Sequence, residues 1–424
     1  MKDIVLYDKS GGGLSEKEIL DAVKEFLGET EIPEKTLLIP PDFTRMHSGA
    51  GLLAQMLYSE IGGGSRVDIL PALGTHEPVS DLQRELFFGK EIPKERFIEH
   101  NWRTSVVKIG EVPAEFVSEV SDGIMNESFD IEVNRNIVEG GYGLILSIGQ
   151  VVPHEVIGMA NYTKNILVGA GGSGIINKSH MLGALYGMER IMGRDKTPVR
   201  KVFDYAQEKF LSKLPIVYIL TVTTNTEDGV RIHGLFIGNN RSVFEKAVGL
   251  AQEKNLTFID KPFKKCVVWL DEEEFQSTWL GNKAVYRTRM AMADGGELIV
   301  LAPGVRHFGE DKENDRLIRK FGYIGRERII ELLRTNEELQ KNQSVAAHLV
   351  HGSSDGRFNI TYAVRHLTKD EVEGVGFKYM PFDEAVAKYN PKQLKNGWNT
   401  MCDGEEVFFI ENPALGLWAD KKKF

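Results

Sequence analysis

Residues Val152–Leu182 read VPHEVIGMANYTKNILVGAGGSGIINKSHML and gather two histidines, a lysine and a glycine-rich turn into about one βα unit. Upstream, the apolar run LILSIG, Leu144 to Gly149, has the length and bounding residues of a buried strand, so His154 is expected just past a strand end. A second apolar run, NILVGAG, reads as another strand that ends in Gly169, Gly171, Gly172 and Gly174, ahead of a helix carrying His180. Open α/β sheets bind ligands in the crevice at the carboxyl ends of their strands. Two strand ends would then point chemistry at one crevice.

The same arrangement recurs nearer the N-terminus. TLLIPPDFTRMHSG stops at Pro40-Pro41 and delivers Asp42, Thr44, Arg45 and His47 into a loop, and RVDILPALGTHEPVS ends a strand in Gly74-Thr75-His76. The Asp42 loop has two readings, a helix cap paired with Arg45 or part of a site. From Glu99 to Glu139 the pattern is that of a small β-rich excursion, and PIVYILTVTT and GVRIHGLFIGN are two further strands. A fresh α/β pattern begins near Phe263-Lys264-Lys265. It includes strands at CVVWLDEEEF, ELIVLAPG, SVAAHLVHGSS and FNITYAVRHL, and a last strand, EEVFFIENP, that either domain could hold. Strands alternating with helices imply an α/β fold with mainly parallel sheets flanked by helices. At 424 residues the chain exceeds a single core. The expected domains are residues 1–265 and 266–424, with the site in the cleft between them.

Composition narrows the partners. With 61 acidic against 52 basic residues and a net charge of −9, the chain lacks the basic face that a nucleic acid or an anionic membrane would select. A small-molecule ligand is expected instead. Cys266 and Cys402 are too few for a disulfide framework or a thiolate metal cluster, and the first residues, MKDIVLYDKSGGG, lack an apolar signal core. No run reaches the roughly 20 apolar residues of a membrane span. A soluble, cytoplasmic protein is expected, with the Lys421-Lys422-Lys423 run as a solvated end.

GAGGSG, Gly169 to Gly174, satisfies the G-x-G-x-x-G spacing of a dinucleotide-binding turn, which would make the protein an NAD-dependent dehydrogenase. The fingerprint also needs an acidic strand end some 20 residues on, and that region, HMLGALYGMERIMGRD, reads as helix. His233, His348 and His366 lie inside apolar runs and read as core or surface residues. His76 and His154 follow strands and precede turns, where a group with a pKa near neutrality can meet a ligand. His180 has no second histidine at i+4 and by spacing alone is not a zinc ligand.

Four motifs together carry a family resemblance: Asp42-Phe43-Thr44-Arg45, Gly74-Thr75-His76, Pro153-His154 with Gly158 and Lys164, and Asn177-Lys178-Ser179-His180. In these motifs and their mutual spacing the chain resembles, over nearly its whole length, the lactate racemase family. Members of that family use a nickel-pincer nucleotide, a pyridinium-dithiocarboxylic acid mononucleotide derived from nicotinic acid. The resemblance implies that His76 and His154 are paired acid/base histidines and that Arg45 binds the substrate carboxylate. It also implies that Asp42 is a cofactor-binding or histidine-orienting residue, Lys164 the cofactor lysine and His180 the nickel ligand. In the second domain Lys283, ahead of Asp294-Gly295-Gly296, is the nearest match to a further substrate-binding lysine.

The sequence departs from the family pattern at two places. Asn161-Tyr162-Thr163 replaces small, glycine-rich residues before the lysine, and Leu280 stands where a glutamine is expected. His47, two residues past Arg45, and Leu280 imply a pocket reshaped for a 2-hydroxy acid larger than lactate, such as a sugar acid. The implied activity is racemisation or epimerisation at C2 by reversible hydride transfer. The alternatives are the dehydrogenase above and a binding homologue that kept the fold without the chemistry.

Overall fold

The computed structural model describes residues 2–226, 229–414 and 416–424. The chain forms two compact units. The first runs to Leu182 and resumes from Ile191 to Asn255, and the second comprises Gly183–Arg190 and Leu256–Phe424. The passage at Asn255–Leu256 lies ahead of the strand near Phe263 at which the sequence pattern changes. Gly183–Arg190 is a short excursion that the sequence reading did not anticipate.

In the first unit the strands are β1 (Ile4–Tyr7), β2 (Thr36–Ile39), β3 (Val67–Ile69), β4 (Val106–Val112), β5 (Phe129–Asn134), β6 (Leu144–Gln150), β7 (Pro153–His154), β8 (Gly158–Met159), β9 (Ile216–Thr226) and β10 (Gly229–Gly238). Among the described residues the main sheet has the order β1-β10-β9-β6-β2-β3. β9, β6, β2 and β3 run parallel, and β10 and β1 extend the sheet antiparallel. β4 and β5 form the antiparallel ribbon of the Glu99–Glu139 excursion.

The connection from β2 leads outward to β3, whereas the one from β6 leads the other way to β9. The order of the sheet therefore reverses between β2 and β6, which is where a doubly wound sheet opens a ligand crevice. β6 is buried at every residue, as a parallel strand covered on both faces should be. Its alternation assigns the faces. Leu144, Leu146 and Ile148 pack with Phe26, Leu53 and Leu57, while Ile145 packs with Tyr162, Phe203 and Phe244. The face of Ile145 also carries Ser147 and Gly149, whose small size leaves room for the segment approaching Lys164.

NILVGAG is not a strand. Asn165–Gly169 forms a π-helix, closed by the Ala170 N–H donating to the Asn165 carbonyl at 3.0 Å. Both neighbours of β6 in the sheet are already in place, so this run lies on the sheet rather than in it. A short apolar run buried on all sides has no period by which strand and helix differ.

The second unit contains β11 (Leu256–Ile259), β12 (Phe263–Trp269), β13 (Met292–Ala302), β14 (Asn359–Val364), β15 (Lys378–Pro381), β16 (Gly397–Thr400), β17 (Glu406–Ile410) and β18 (Leu417–Asp420). Its main sheet has the order β15-β14-β13-β12-β17-β16, parallel except for the edge pair β16–β17. EEVFFIENP thus belongs to the second unit, as β17 beside β12. SVAAHLVHGSS is a helix, Gln343–His351, and not a strand. It is buried from Ser344 to His351, which erases the helical period. His348 at its centre takes the core role expected of it, between Tyr286 (2.9 Å) and Tyr323 (2.8 Å).

Candidate active site

After β2 and Pro40-Pro41 the chain turns into a short 3-10 helix, Phe43–Ser48, capped by Asp42. Asp42 Oδ1 accepts from the Thr44 N–H (2.8 Å) and hydroxyl (2.6 Å), while Oδ2 lies 2.5 Å from His76 Nδ1. Asp42 thus caps the 3-10 helix with one oxygen and holds the His76 ring with the other. Burial works against the Asp42 charge, but His76, the Thr44 hydroxyl and the Arg45 charge outweigh it and hold the carboxyl at about 2. An ionised Asp42 keeps the His76 hydrogen on Nδ1 and orients the ring. The His47 carbonyl accepts from Thr223 Oγ1 (2.7 Å), which ties this loop to β9.

His76 follows β3, where its N–H donates to the Leu73 carbonyl (3.0 Å) and the Gly74 N–H to the Gly169 carbonyl (2.8 Å). The His76 loop is thereby joined to the end of the π-helix. His154 sits in a minimal hairpin, opposite Gly158 in the β7–β8 pair. Gly158 has φ +95°, and a Cβ there would collide with the Arg194 carbonyl, so the turn requires glycine. His154 is 5 % exposed. Its Nδ1 accepts from the Val156 N–H (3.2 Å) with Glu155 Oε2 at 3.5 Å. Burial pushes its pKa well below 6.5, opposed by Glu155 and reinforced by the charges of Lys164, Arg45 and His180. His154 is thus a neutral imidazole.

Lys164 is reached through two left-handed residues, Asn161 (φ 66°) and Tyr162 (φ 57°), neither of them glycine. Arg200, fully buried on the helix Pro198–Lys209, spans this turn. Its Nη2 donates to the carbonyls of Met159 (2.7 Å) and Asn161 (3.3 Å), and its Nη1 to Thr163 Oγ1 (2.7 Å). From the sheet side, Asn165 Nδ2 donates to the Ile39 carbonyl (2.9 Å) and Ser147 Oγ (3.0 Å). Burial, with the Arg45 and Arg200 charges and against Glu155 and Asp42, brings the Lys164 amine down to about 8.

Non-glycine residues at positive φ cost about 1–3 kcal/mol each, and hydrogen bonds from a charged donor contribute about 1.5–3 kcal/mol each. The Arg200 clamp is large enough to offset the strain. Arg200→Met is expected to lower unfolding stability by about 3 kcal/mol or more, read from the urea midpoint at unchanged m-value. A loss within about 0.5 kcal/mol would mean that the turn holds itself.

His180 lies on the helix Ser173–Tyr186, where its Nδ1 donates to the Ile176 carbonyl at 2.7 Å. Nε2 therefore keeps its lone pair. Burial lowers the ring's pKa to about 4, against that carbonyl, so it is neutral at physiological pH. A neutral imidazole oriented through its other nitrogen is the form in which histidine binds a metal. Among the described residues no three His, Cys, Asp or Glu side chains gather into a metal-binding set. With its hydrogen on Nδ1, His180 has a lone pair at Nε2 that is compatible with one bond to a metal.

Asp42, Arg45, His47, His76, His154, Lys164 and His180 all belong to the first unit. Residues 20–192, which include all seven, match the family of the lactate racemase N-terminal domain. This segment resembles a lactate racemase N-terminal domain. The lactate racemase resemblance read from the four motifs is thereby borne out. Over its length the chain is similar to a crystal structure of a protein from Thermotoga maritima, with a TM-score of 0.84 and 25% identity, covering 98% of this chain and 100% of that one. It also shares the fold of the lactate racemase apoprotein from Thermoanaerobacterium thermosaccharolyticum, with a TM-score of 0.70, 17% identity and coverage of 96% and 93%. No curated protein matches the chain.

Within the matched segment the GAGGSG stretch does not make a phosphate turn. The residues before it are π-helical, and the start of the following helix is already served from within the chain. The Gly174 N–H donates to Glu132 Oε2 at 3.0 Å, and a Cβ on Gly172 would collide with the same carboxylate. A fixed carboxylate occupies the place that a pyrophosphate would need, which speaks against the nicotinamide alternative. Lys283 belongs to the second unit, at the start of the helix Lys283–Thr288, with Glu274 Oε1 at 3.7 Å and the Phe275 ring at 5.1 Å. Glu155, Arg200 and Glu132 were not singled out from the sequence. Only Glu155 had a signal there, its place beside His154.

Proposed function

We propose that this protein is a racemase or epimerase of 2-hydroxy acids that works in the cytoplasm with a nickel-pincer nucleotide. The observation that carries this reading is the pair of differently supported histidines, His76 on Asp42 and His154 beside Glu155, in a lactate racemase-like domain that also supplies Arg45, Lys164 and His180. When bound, the nucleotide would supply the hydride acceptor at C2, with His180 as its protein nickel ligand and Lys164 as its anchor. Among the described residues no helix is long and apolar enough to cross a membrane.

In this reading Arg45 holds the substrate carboxylate with its planar guanidinium. The histidines do the proton work at the C2 hydroxyl. A neutral histidine takes the hydroxyl proton of one enantiomer, and the protonated one on the opposite face returns a proton to the carbonyl oxygen of the planar keto acid. Asp42 favours the proton on His76, and burial keeps His154 neutral. For His154 to act as base its hydrogen must sit on Nδ1, facing Glu155 Oε2 at 3.5 Å, which frees Nε2.

His47 and Leu280 favour a substrate larger than lactate, such as a sugar acid. The test is protein isolated from cells that make the cofactor, assayed for bound nickel and for inversion across chiral 2-hydroxy and aldonic acids. Stoichiometric nickel with inversion of a larger acid is expected. Nickel-free, NAD-linked oxidation would overturn the reading, lactate as the best substrate would overturn the size assignment, and binding without turnover would mark a non-catalytic homologue.

A further inference from the structure

The second unit holds a cavity of about 380 Å³, within the roughly 300–1,000 Å³ of small-molecule sites. Its wall carries four guanidinium groups, Arg190, Arg289, Arg326 and Arg357, against two carboxylates, Glu189 and Asp355. In a chain with a net charge of −9, this local excess has the opposite sign to the whole.

The partners of these groups show where the excess lies. Glu189 Oε1 is shared between Arg289 Nε (3.1 Å) and Arg357 Nη1 (2.8 Å). Asp355 takes Arg289 Nη2 on Oδ2 (2.9 Å) and the backbone N–H of Arg326 on Oδ1 (2.7 Å). Both carboxylates are thus engaged with Arg289, Arg357 and a main-chain donor. Arg357 also reaches Asp294 Oδ1 (3.0 Å). The Arg326 guanidinium instead donates to the carbonyls of Leu185 (2.6 Å) and Ala184 (3.4 Å). Carbonyls orient that charge without neutralising it. Arg190 lies against the Tyr186 ring, 3.8 Å from its centroid.

We propose that this cavity is an anion site that binds a small molecule through a phosphoryl group. A phosphoryl group presents several oxygens to guanidinium forks arriving from different sides, and its charge matches the local excess better than a single carboxylate would. The volume leaves room for the rest of a small metabolite. Every lining residue belongs to the second unit, so the proposal stands apart from the chemistry assigned to Lys164 and His180.

The test is calorimetric titration of the full chain with inorganic pyrophosphate and, separately, citrate, at matched ionic strength. Saturable pyrophosphate binding is expected, weakened about ten-fold or more in Arg326→Gln. It should persist in Lys164→Ala, which removes a cation of the first unit. Glu189→Gln is the second measurement. It frees Arg289 and Arg357 from their shared carboxylate and should tighten binding, an outcome that misfolding cannot produce. Binding that Arg326→Gln leaves unchanged, that Lys164→Ala abolishes, or that citrate matches would each overturn the phosphoryl assignment.

Discussion

His154→Ala is expected to slow inversion of the substrate by about 10²–10⁴-fold, and His76→Ala by a similar factor, because each direction of reaction needs one histidine as base and the other as acid. Substrate binding should change far less in either variant than in Arg45→Ala, which removes the carboxylate partner. Under the proposed chemistry His76 and His154 move protons at the hydroxyl oxygen and never at C2. Substrate deuterated at C2 should therefore invert with its deuterium retained, and early product formed in heavy water should be unlabelled at C2. Extensive solvent label at C2 would show proton abstraction from carbon and sink the hydride reading. The two supports of the histidines add a pH signature. Burial holds His154 neutral well below 6.5, so the direction that uses it as base should keep its rate as pH falls through 6.5.

The strand-end residues were legible because a parallel strand announces itself as an apolar run and the polar group that follows must lie at the sheet edge. Asp42 after β2, His76 after β3 and His154 after β6 obey this rule, and the reversal of sheet order between β2 and β6 supplies the crevice. What stayed hidden was closed through space. Arg200 stands in an ordinary amphipathic helix, and nothing local says that its guanidinium crosses to the carbonyls of Met159 and Asn161. Asn161 and Tyr162 carry no glycine signal, although both adopt positive φ. The departure from the family's small residues before Lys164 thus has a physical counterpart, a strained turn held by a buried cation. The π-helix at Asn165–Gly169 and the helix Gln343–His351 were misread as strands for a shared reason. The first is buried throughout and the second from Ser344 on, and hydrophobic periodicity exists only where one face meets water.

His180→Ala is expected to abolish nickel retention while leaving the fold intact, since the side chain's hydrogen bond within the protein is to the carbonyl of its own helix at Ile176. Lys164→Ala is expected to act differently. If the Lys164 amine anchors the cofactor covalently, intact-mass measurement of the denatured holoprotein should show added nucleotide mass that disappears in Lys164→Ala and persists in His180→Ala. An amine at about 8 is well suited to that bond, because near neutral pH a far larger fraction is unprotonated than for an ordinary lysine at 10.5. The sign of the shift matters here. Burial and the neighbouring Arg45 and Arg200 charges disfavour the ammonium form, so mutating Arg200 should raise the lysine's pKa as well as loosen the turn before it. A denatured mass equal to that of the bare chain, with nickel still lost in His180→Ala, would reduce Lys164 to a charge partner of the cofactor phosphate. The loss of metal separates the ligand role from the anchor role because neither readout depends on turnover.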